Sequence, residues 1–221
     1  MSRIIKNIFL FFLLLNTVQA QNIKPPFWND IQSFKRQDSI SFPGTGKILF
    51  VGSSSFTKWT DVQNYFPGFP IINRGFGGSS LTDVIRYSND VIFKYHPKQI
   101  IIYCGENDIA ASDTVSGKMV FERFKRLFTE IRNRFPGISI VYISMKPSPS
   151  RWLMKDRMID GNKQIKKYLK KQRHTKFISV WENMLGADGK PIPDIFIEDK
   201  LHMNAKGYAI WKKLIEPYLQ K

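Results

Sequence analysis

The stretch Lys47–Ser55, "KILFVGSSS", decides how the rest of the chain is read. Four apolar residues, Ile48 to Val51, run without alternation into Gly52, and three serines follow at once. An unbroken apolar run closed by glycine is the pattern of a strand buried on both faces, as in a parallel sheet. Beyond it lies either a solvated turn of small residues or a serine presented for reaction at the strand's end. The rest of the sequence has to separate those two readings.

Four further runs share the pattern: "PIINRG" (Pro70–Gly75), "QIIIYCG" (Gln99–Gly105), "ISIVYIS" (Ile138–Ser144) and "KFISVW" (Lys176–Trp181). Helical periodicity fills the gaps between them. Leu81, Val84, Ile85, Val91 and Ile92 share one face of the segment 79–95; Val120, Phe124, Leu127, Phe128 and Ile131 share one face of 119–135. Tyr208, Trp211, Leu214 and Ile215 do the same near the C-terminus. Strands alternating with amphipathic helices predict a doubly wound α/β domain over residues 46–221, with no internal repeat or linker. An N-terminal arm, residues 21–45, precedes it. There "FWNDIQSF" predicts a short helix with Trp28, Ile31 and Phe34 inward, followed by irregular chain. A second long irregular connection is expected between Trp181 and Asn204, and long loops in compact domains are disproportionately functional.

The first twenty residues read as a leader. Arg3 and Lys6 precede the apolar core "IFLFFLLL" (Ile8–Leu15), and "TVQA" ends on Ala20 as a small-residue cleavage site. The apolar core is short for a bilayer span, so the expectation is an exported chain, periplasmic or extracellular, without a membrane anchor. Removing the leader takes the net charge from +16 to +14. That excess predicts attraction to anionic envelope surfaces. No helix-turn-helix, zinc-ligand or RNA-binding signature points to nucleic acid. Much of the charge lies in "KQIKKYLKKQRH" (Lys163–His174), where Ile165, Tyr168 and Leu169 fall on one helical face and leave most lysines on the solvated one. Cys104 is the single cysteine, so stability must come from packing rather than disulfides. No His/Cys/Asp cluster has ligand spacing, and neither metal nor other cofactor is expected.

In open parallel sheets, ligands bind beyond the carboxyl ends of the strands. At those ends this chain places "GSSS" (Gly52–Ser55), "NRGFGGSS" (Asn73–Ser80) and "GEND" (Gly105–Asp108), with "DKLH" (Asp199–His202) in the late loop. Each has an ordinary reading: Gly77-Gly78 as a tight turn, Asn107-Asp108 as helix caps, Asp199 as a brace for His202. Taken together they contain what acyl transfer requires: a nucleophilic hydroxyl, a base, an orienting carboxylate and donors for an oxyanion.

This ordered set, "GSS", "GFGG", "GEND", "DKLH", resembles the SGNH (GDSL-type) hydrolase family across nearly all of the chain after the leader. The resemblance implies a flavodoxin-like α/β/α sandwich with five parallel strands in the order 2-1-3-4-5, and serine esterase activity. It implies Ser54 as nucleophile, Gly78 and Asn107 with Ser54 as the oxyanion donors, and Asp199 and His202 as the remaining triad members. The family's usual Gly-Asp-Ser reads Gly52-Ser53-Ser54 here. Cys104 lies in a buried strand and is a poor rival nucleophile; His96 and His174 fall at the opposite sheet edge and are expected to be structural. Substrates of the family span acetylated sugars, lysophospholipids, thioesters and lipid esters. An exported, unanchored enzyme favours a short-chain or acetyl ester on carbohydrate, with a small molecule or glycan as partner. Lipid acylhydrolysis is the alternative, as is a non-catalytic basic glycan- or envelope-binding protein on the same fold. The loop "MKPSPSRW" (Met145–Trp152) is expected to wall the pocket, with Lys146 or Arg151 turned to an anionic or polyhydroxylated substrate.

Overall fold

The computed structural model describes residues 24–221, so the segment read as a leader, residues 1–20, and the start of the arm lie outside the described residues. The described chain runs α1 (Trp28–Ile40), β1 (Ile48–Gly52), α2 (Ser54–Thr57), α3 (Val62–Tyr65), β2 (Ile71–Gly75), α4 (Leu81–Arg86), α5 (Ser88–Val91), β3 (Gln99–Tyr103), α6 (Glu106–Ala110), α7 (Gly117–Arg134), β4 (Ser139–Ile143), α8 (Lys155–Leu169), β5 (Thr175–Ile178) and α9 (Ala205–Ile215), with short 3-10 turns between. The five strands form one parallel sheet in the order β2-β1-β3-β4-β5, as the resemblance implied.

Continuous apolar strands are what a sheet covered on both faces demands, and successive side chains go to opposite layers. Leu49, Val51, Ile100, Ile102, Ile140 and Tyr142 face the layer built by α1, α4, α5, α7 and α8. Ile48, Phe50, Ile101, Tyr103, Val141 and Ile143 face the layer of α2, α3 and α9, where Trp59 and Trp211 are fully buried. Each fully buried aliphatic side chain contributes roughly 1.5–3 kcal/mol. The lone cysteine, Cys104, is buried and free, so no disulfide forms within the chain.

Two helices differ from the sequence expectation, and β5 ends at Ile178, three residues before the expected Trp181. The segment read as one helix over 79–95 is broken at Tyr87, which leaves helical geometry (φ −105°, ψ 16°). The Ser-Asn-Asp that follows starts a new short helix, α5, and these side chains compete for backbone hydrogen bonds, which favours a cap or turn over an unbroken helix. The Tyr87 hydroxyl instead donates to the Pro26 carbonyl in the arm (2.7 Å). The arm's helix, conversely, continues to Ile40 instead of ending early, and of its three expected inward residues only Ile31 is fully buried; Trp28 is 36% exposed. Its last turn is held by Asp38, which accepts from Arg74 Nη2 (2.5 Å), Lys94 Nζ (2.6 Å) and the Tyr95 hydroxyl (2.6 Å). Burial pushes the Asp38 carboxyl up, but the bonds from Lys94, Tyr95 and Arg74 outweigh it and lower it below the ordinary value.

The sheet register aligns the strand ends that matter. Gly52, the last residue of β1, pairs with Gly75 on one side and Tyr103 on the other. Ser53, Phe76 and Cys104 therefore leave the sheet in one row. His96 and His174 lie at the other edge, in left-handed conformation (φ 41° and 54°) just before β3 and β5. There they give their carbonyl oxygens to Gly46 and Ile140 (both 3.0 Å).

Candidate active site

Gly52 turns the chain out of β1 with φ 144°, and a Cβ there would collide with the Tyr103 carbonyl. Only glycine serves, and this sharp exit makes Ser54 the first residue of α2, half-buried at the sheet's edge. Its Oγ lies 2.8 Å from His202 Nε2. His202 Nδ1 lies 2.6 Å from Asp199 Oδ2. A carboxylate only accepts, so Nδ1 carries the proton and Nε2 is left to accept from the serine.

The Asp199–His202 turn is built locally. Asp199 Oδ1 accepts the backbone N–H groups of Leu201 (2.9 Å) and His202 (2.8 Å), while Lys200 takes a left-handed conformation (φ 54°). Burial pushes the Asp199 carboxyl up, but the ring and backbone bonds from His202 and the Leu201 N–H overcome it and lower it to about 2. The long connection before α9 is more structured than expected. Isolated antiparallel bridges pair Leu185 with Pro191 and Phe196 with Met203, fixing the loop that carries both residues.

The candidate donors lie in the turns that leave β2 and β3. Gly78 sits in a turn after β2 with φ 85°, and the ring of Phe27 from the arm lies 3.6 Å from where its Cβ would be. A Cβ on neighbouring Gly77 would lie 3.9 Å from Ser54 Cβ, which places this turn beside the serine. Among the described residues, neither the Ser54 nor the Gly78 backbone N–H has a protein acceptor. Asn107, the second residue of α6, donates from Nδ2 to the Ser79 carbonyl (3.0 Å), leaving one amide hydrogen uncommitted. Neither Asn107 nor Asp108 serves as N-cap of α6, because Gly105 occupies that position. Asp108 instead caps the start of α4 through the Leu81 N–H (2.9 Å) and pairs with Arg123 (2.8 Å). Burial pushes its carboxyl up despite both partners. Ser53, at the position of the family's aspartate, is 4% exposed and makes no side-chain cap of α2. Burial pushes the Cys104 thiol far above its ordinary value, so it is inert as a nucleophile.

The loop after β4 departs from expectation. Lys146 is 1% exposed and reaches inward to Glu106 Oε2 (3.2 Å), while its backbone N–H bonds Glu106 Oε1 (3.0 Å). Arg151 donates to Glu106 Oε2 (3.2 Å) and to Asn107 Oδ1 (2.7 Å). Lys146 is therefore committed to the protein interior and not turned to substrate, while Arg151, partly exposed, gives N–H groups to Glu106 and Asn107. The Tyr103 hydroxyl also bonds Glu106. Burial pushes the Glu106 carboxyl up, but Lys146, Arg151 and Tyr103 together bring it below the ordinary range. Sequence reading missed this buried cluster. Its signal was a lone lysine directly behind the apolar run "ISIVYISM", a position where an unpaired charge is untenable.

A hydrogen-bonded serine, imidazole and carboxylate, with idle N–H groups at the serine, is an arrangement competent to attack a carbonyl and hold the oxyanion that forms. The model of the GDSL-like Lipase/Acylhydrolase family matches residues 38–210, most of the chain. The chain belongs to this family. As a GDSL-type hydrolase it acts on ester bonds. No curated protein matches it. Solved structures share the GDSL fold at low identity. A GDSL-like lipase from Bacteroides thetaiotaomicron is 18% identical, with TM-score 0.72 over 85% of this chain and 95% of that one. The lipase/acylhydrolase from Enterococcus faecalis is 16% identical (TM-score 0.62; 80% and 98% covered). A catalytic mutant of an acetylxylan esterase from Geobacillus stearothermophilus is 15% identical (TM-score 0.61; 79% and 94% covered). Among the described residues of this GDSL-type chain, no group of three or more His, Cys, Asp or Glu side chains converges as metal ligands would.

Proposed function

We propose that this chain is an exported serine esterase, periplasmic or extracellular, that hydrolyses short-chain, acetyl-type carboxylic esters on carbohydrate. The observation that carries the reading is the unbroken chain Ser54 Oγ–His202 Nε2 (2.8 Å) and His202 Nδ1–Asp199 Oδ2 (2.6 Å). Ser54 Oγ attacks the acyl carbon as His202 Nε2 takes its proton. The carbonyl oxygen becomes an oxyanion facing the N–H groups of Ser54 and Gly78 and the free amide hydrogen of Asn107. Collapse breaks the acyl–alcohol bond, and the departing alkoxide takes the proton from His202. Water, deprotonated by the same imidazole, then cleaves the acyl-serine and releases the acid. Asp199 stays ionised throughout and stabilises the imidazolium.

The leader-like N-terminus and the fold shared with an acetylxylan esterase support the exported, carbohydrate-directed form of this reading. The positive net charge favours residence against an anionic envelope surface. A second reading, a lipid acylhydrolase, is favoured by one feature. An open groove of about 690 Å³ beside the Asp199–His202 loop is walled by Trp152, Ile192, Phe196 and Ile197, with Asp188, Lys190, Glu198 and Lys200 also lining it.

A fluorophosphonate probe tests the core of the proposal. The expected result is one adduct, mapped by mass spectrometry to Ser54, lost in Ser54→Ala together with turnover of p-nitrophenyl acetate. An adduct on Ser53 or Ser55, or none, would overturn it. Comparing acetylated xylo-oligosaccharides with lysophospholipids separates the two substrate classes.

A further inference from the structure

We propose that Arg151 is a positioning residue of this site, holding Asn107 so that its amide N–H, and not its carbonyl, faces the oxyanion. The inference rests on the esterase reading above. An asparagine side chain is nearly symmetric in shape and opposite in polarity at its two ends. Turned one way, Asn107 stabilises a developing negative charge; turned the other, it repels it. Something must therefore fix the amide, and a hydroxyl neighbour, which both donates and accepts, would not.

The two partners of Asn107 do fix it. Arg151 Nη2–H donates to Oδ1 (2.7 Å), and Nδ2–H donates to the Ser79 carbonyl (3.0 Å). A guanidinium only donates and a carbonyl only accepts, so a flipped amide would lose both bonds and set like poles against each other. Arg151 is itself held. Its Nη1–H donates to Glu106 Oε2 (3.2 Å), and Glu106 is gripped in turn by Lys146 and Tyr103. The Arg151 side chain is 16% exposed, so this is no solvent-screened surface pair. The backbone next door ties the loop to the acid–base half of the site, since the Ser150 N–H donates to the Lys200 carbonyl (3.1 Å).

A structural residue and a positioning residue part company in coupled kinetics. Hydrolysis of p-nitrophenyl acetate would be measured for Arg151→Ala, Arg151→Lys, Asn107→Ala and the Arg151→Ala/Asn107→Ala pair, with Ser54→Ala alongside. Arg151→Ala should lower kcat by about 10-fold or more with KM nearly unchanged, because a transition-state contact is lost. Arg151→Lys should recover part of that loss. Asn107→Ala should cost about 100-fold or more, and the pair should be no worse than Asn107→Ala alone. Should Arg151→Ala fail to fold, Arg151→Met, which keeps the apolar stem but removes the donor to Oδ1, carries the same coupling test. Losses that multiply in full, or a change in KM alone, would overturn the proposal while Ser54→Ala still abolished turnover. A wild type that neither turns over the ester nor takes the fluorophosphonate at Ser54 would instead remove the esterase reading, and this proposal with it.

Discussion

Asp199 and Glu106 are both carboxylates at the carboxyl edge of one sheet, yet the side chain of Asp199 is 41% exposed and that of Glu106 is 5% exposed. Asp199 is gripped by its own turn, from backbone groups two and three residues on. Glu106 is gripped by Lys146 and Arg151, 40 and 45 residues away. Both carboxyls are lowered, the first by local hydrogen bonds and the second by buried cations that overcome desolvation. Asp199 can stay wet because its bonds are short-range and come from its own turn. Glu106 is dry, and a dry charge needs partners of opposite sign.

The largest effect expected from this contrast lies on the wet side and falls on activity alone. His202→Ala should reduce turnover by about 10⁴-fold or more, close to Ser54→Ala, because the triad acts as a unit. The melting temperature should barely move, since the His202 side chain is held chiefly by Asp199 and Ser54. A His202→Ala enzyme with a tenth of wild-type kcat would mean that another group takes the serine proton.

On the dry side the same kind of truncation should strike the fold first. Glu106→Ala leaves Lys146 buried and unpaired beside Arg151, and breaking a buried pair costs about 3–5 kcal/mol. A urea midpoint within experimental error of wild type would show that water reaches the cluster and that the dry half is wet after all. Asp199→Ala, its counterpart, should unfold near the wild-type midpoint.

That asymmetry also explains what the sequence discloses. The three central strands β1, β3 and β4 are legible because strands buried on both faces need uninterrupted apolar residues, as in "QIIIYCG"; the edge strands β2 and β5 are partly exposed and carry Asn73, Arg74 and Lys176. Asp199 and His202 are legible because three residues of spacing hold their whole interaction. The strand order came from the resemblance, not from periodicity. Lys146 is buried where the sequence offers it to substrate because its partner, Glu106, lies at a different strand end, and no local pattern records a pairing across 40 residues. The helix of the arm runs past its expected end for the same reason: Asp38 finds Arg74, 36 residues on. Tyr87, at the helix break, bonds Pro26, 61 residues back. Local chemistry is written in the sequence, whereas tertiary pairing of charges is written only in the fold.

The smallest effect, and the sharpest measure of how wet Asp199 is, should appear in the pH dependence of stability. Its carboxyl lies at about 2 in the folded chain against an ordinary 3.8. A depressed folded value means that the unfolded state binds the proton first as pH falls. The stabilisation is therefore fully present above about pH 4, declines between about 4 and about 2, and is gone below both. Because the side chain is 41% exposed, solvent screening should hold the contribution to under about 1 kcal/mol. Acid lowers stability through other carboxylates too, Glu106 among them, so the quantity to measure is the difference between wild type and Asp199→Asn. Urea midpoints for the two should stay a constant distance apart from pH 7 to about 4, then converge as pH approaches 2. Curves that remain parallel down to pH 2 would mean that Asp199 is not bonded to His202 in solution as it is in the structure. A convergence worth several kcal/mol would mean that Asp199 is buried like Glu106, and the division of the site into wet and dry halves would fail.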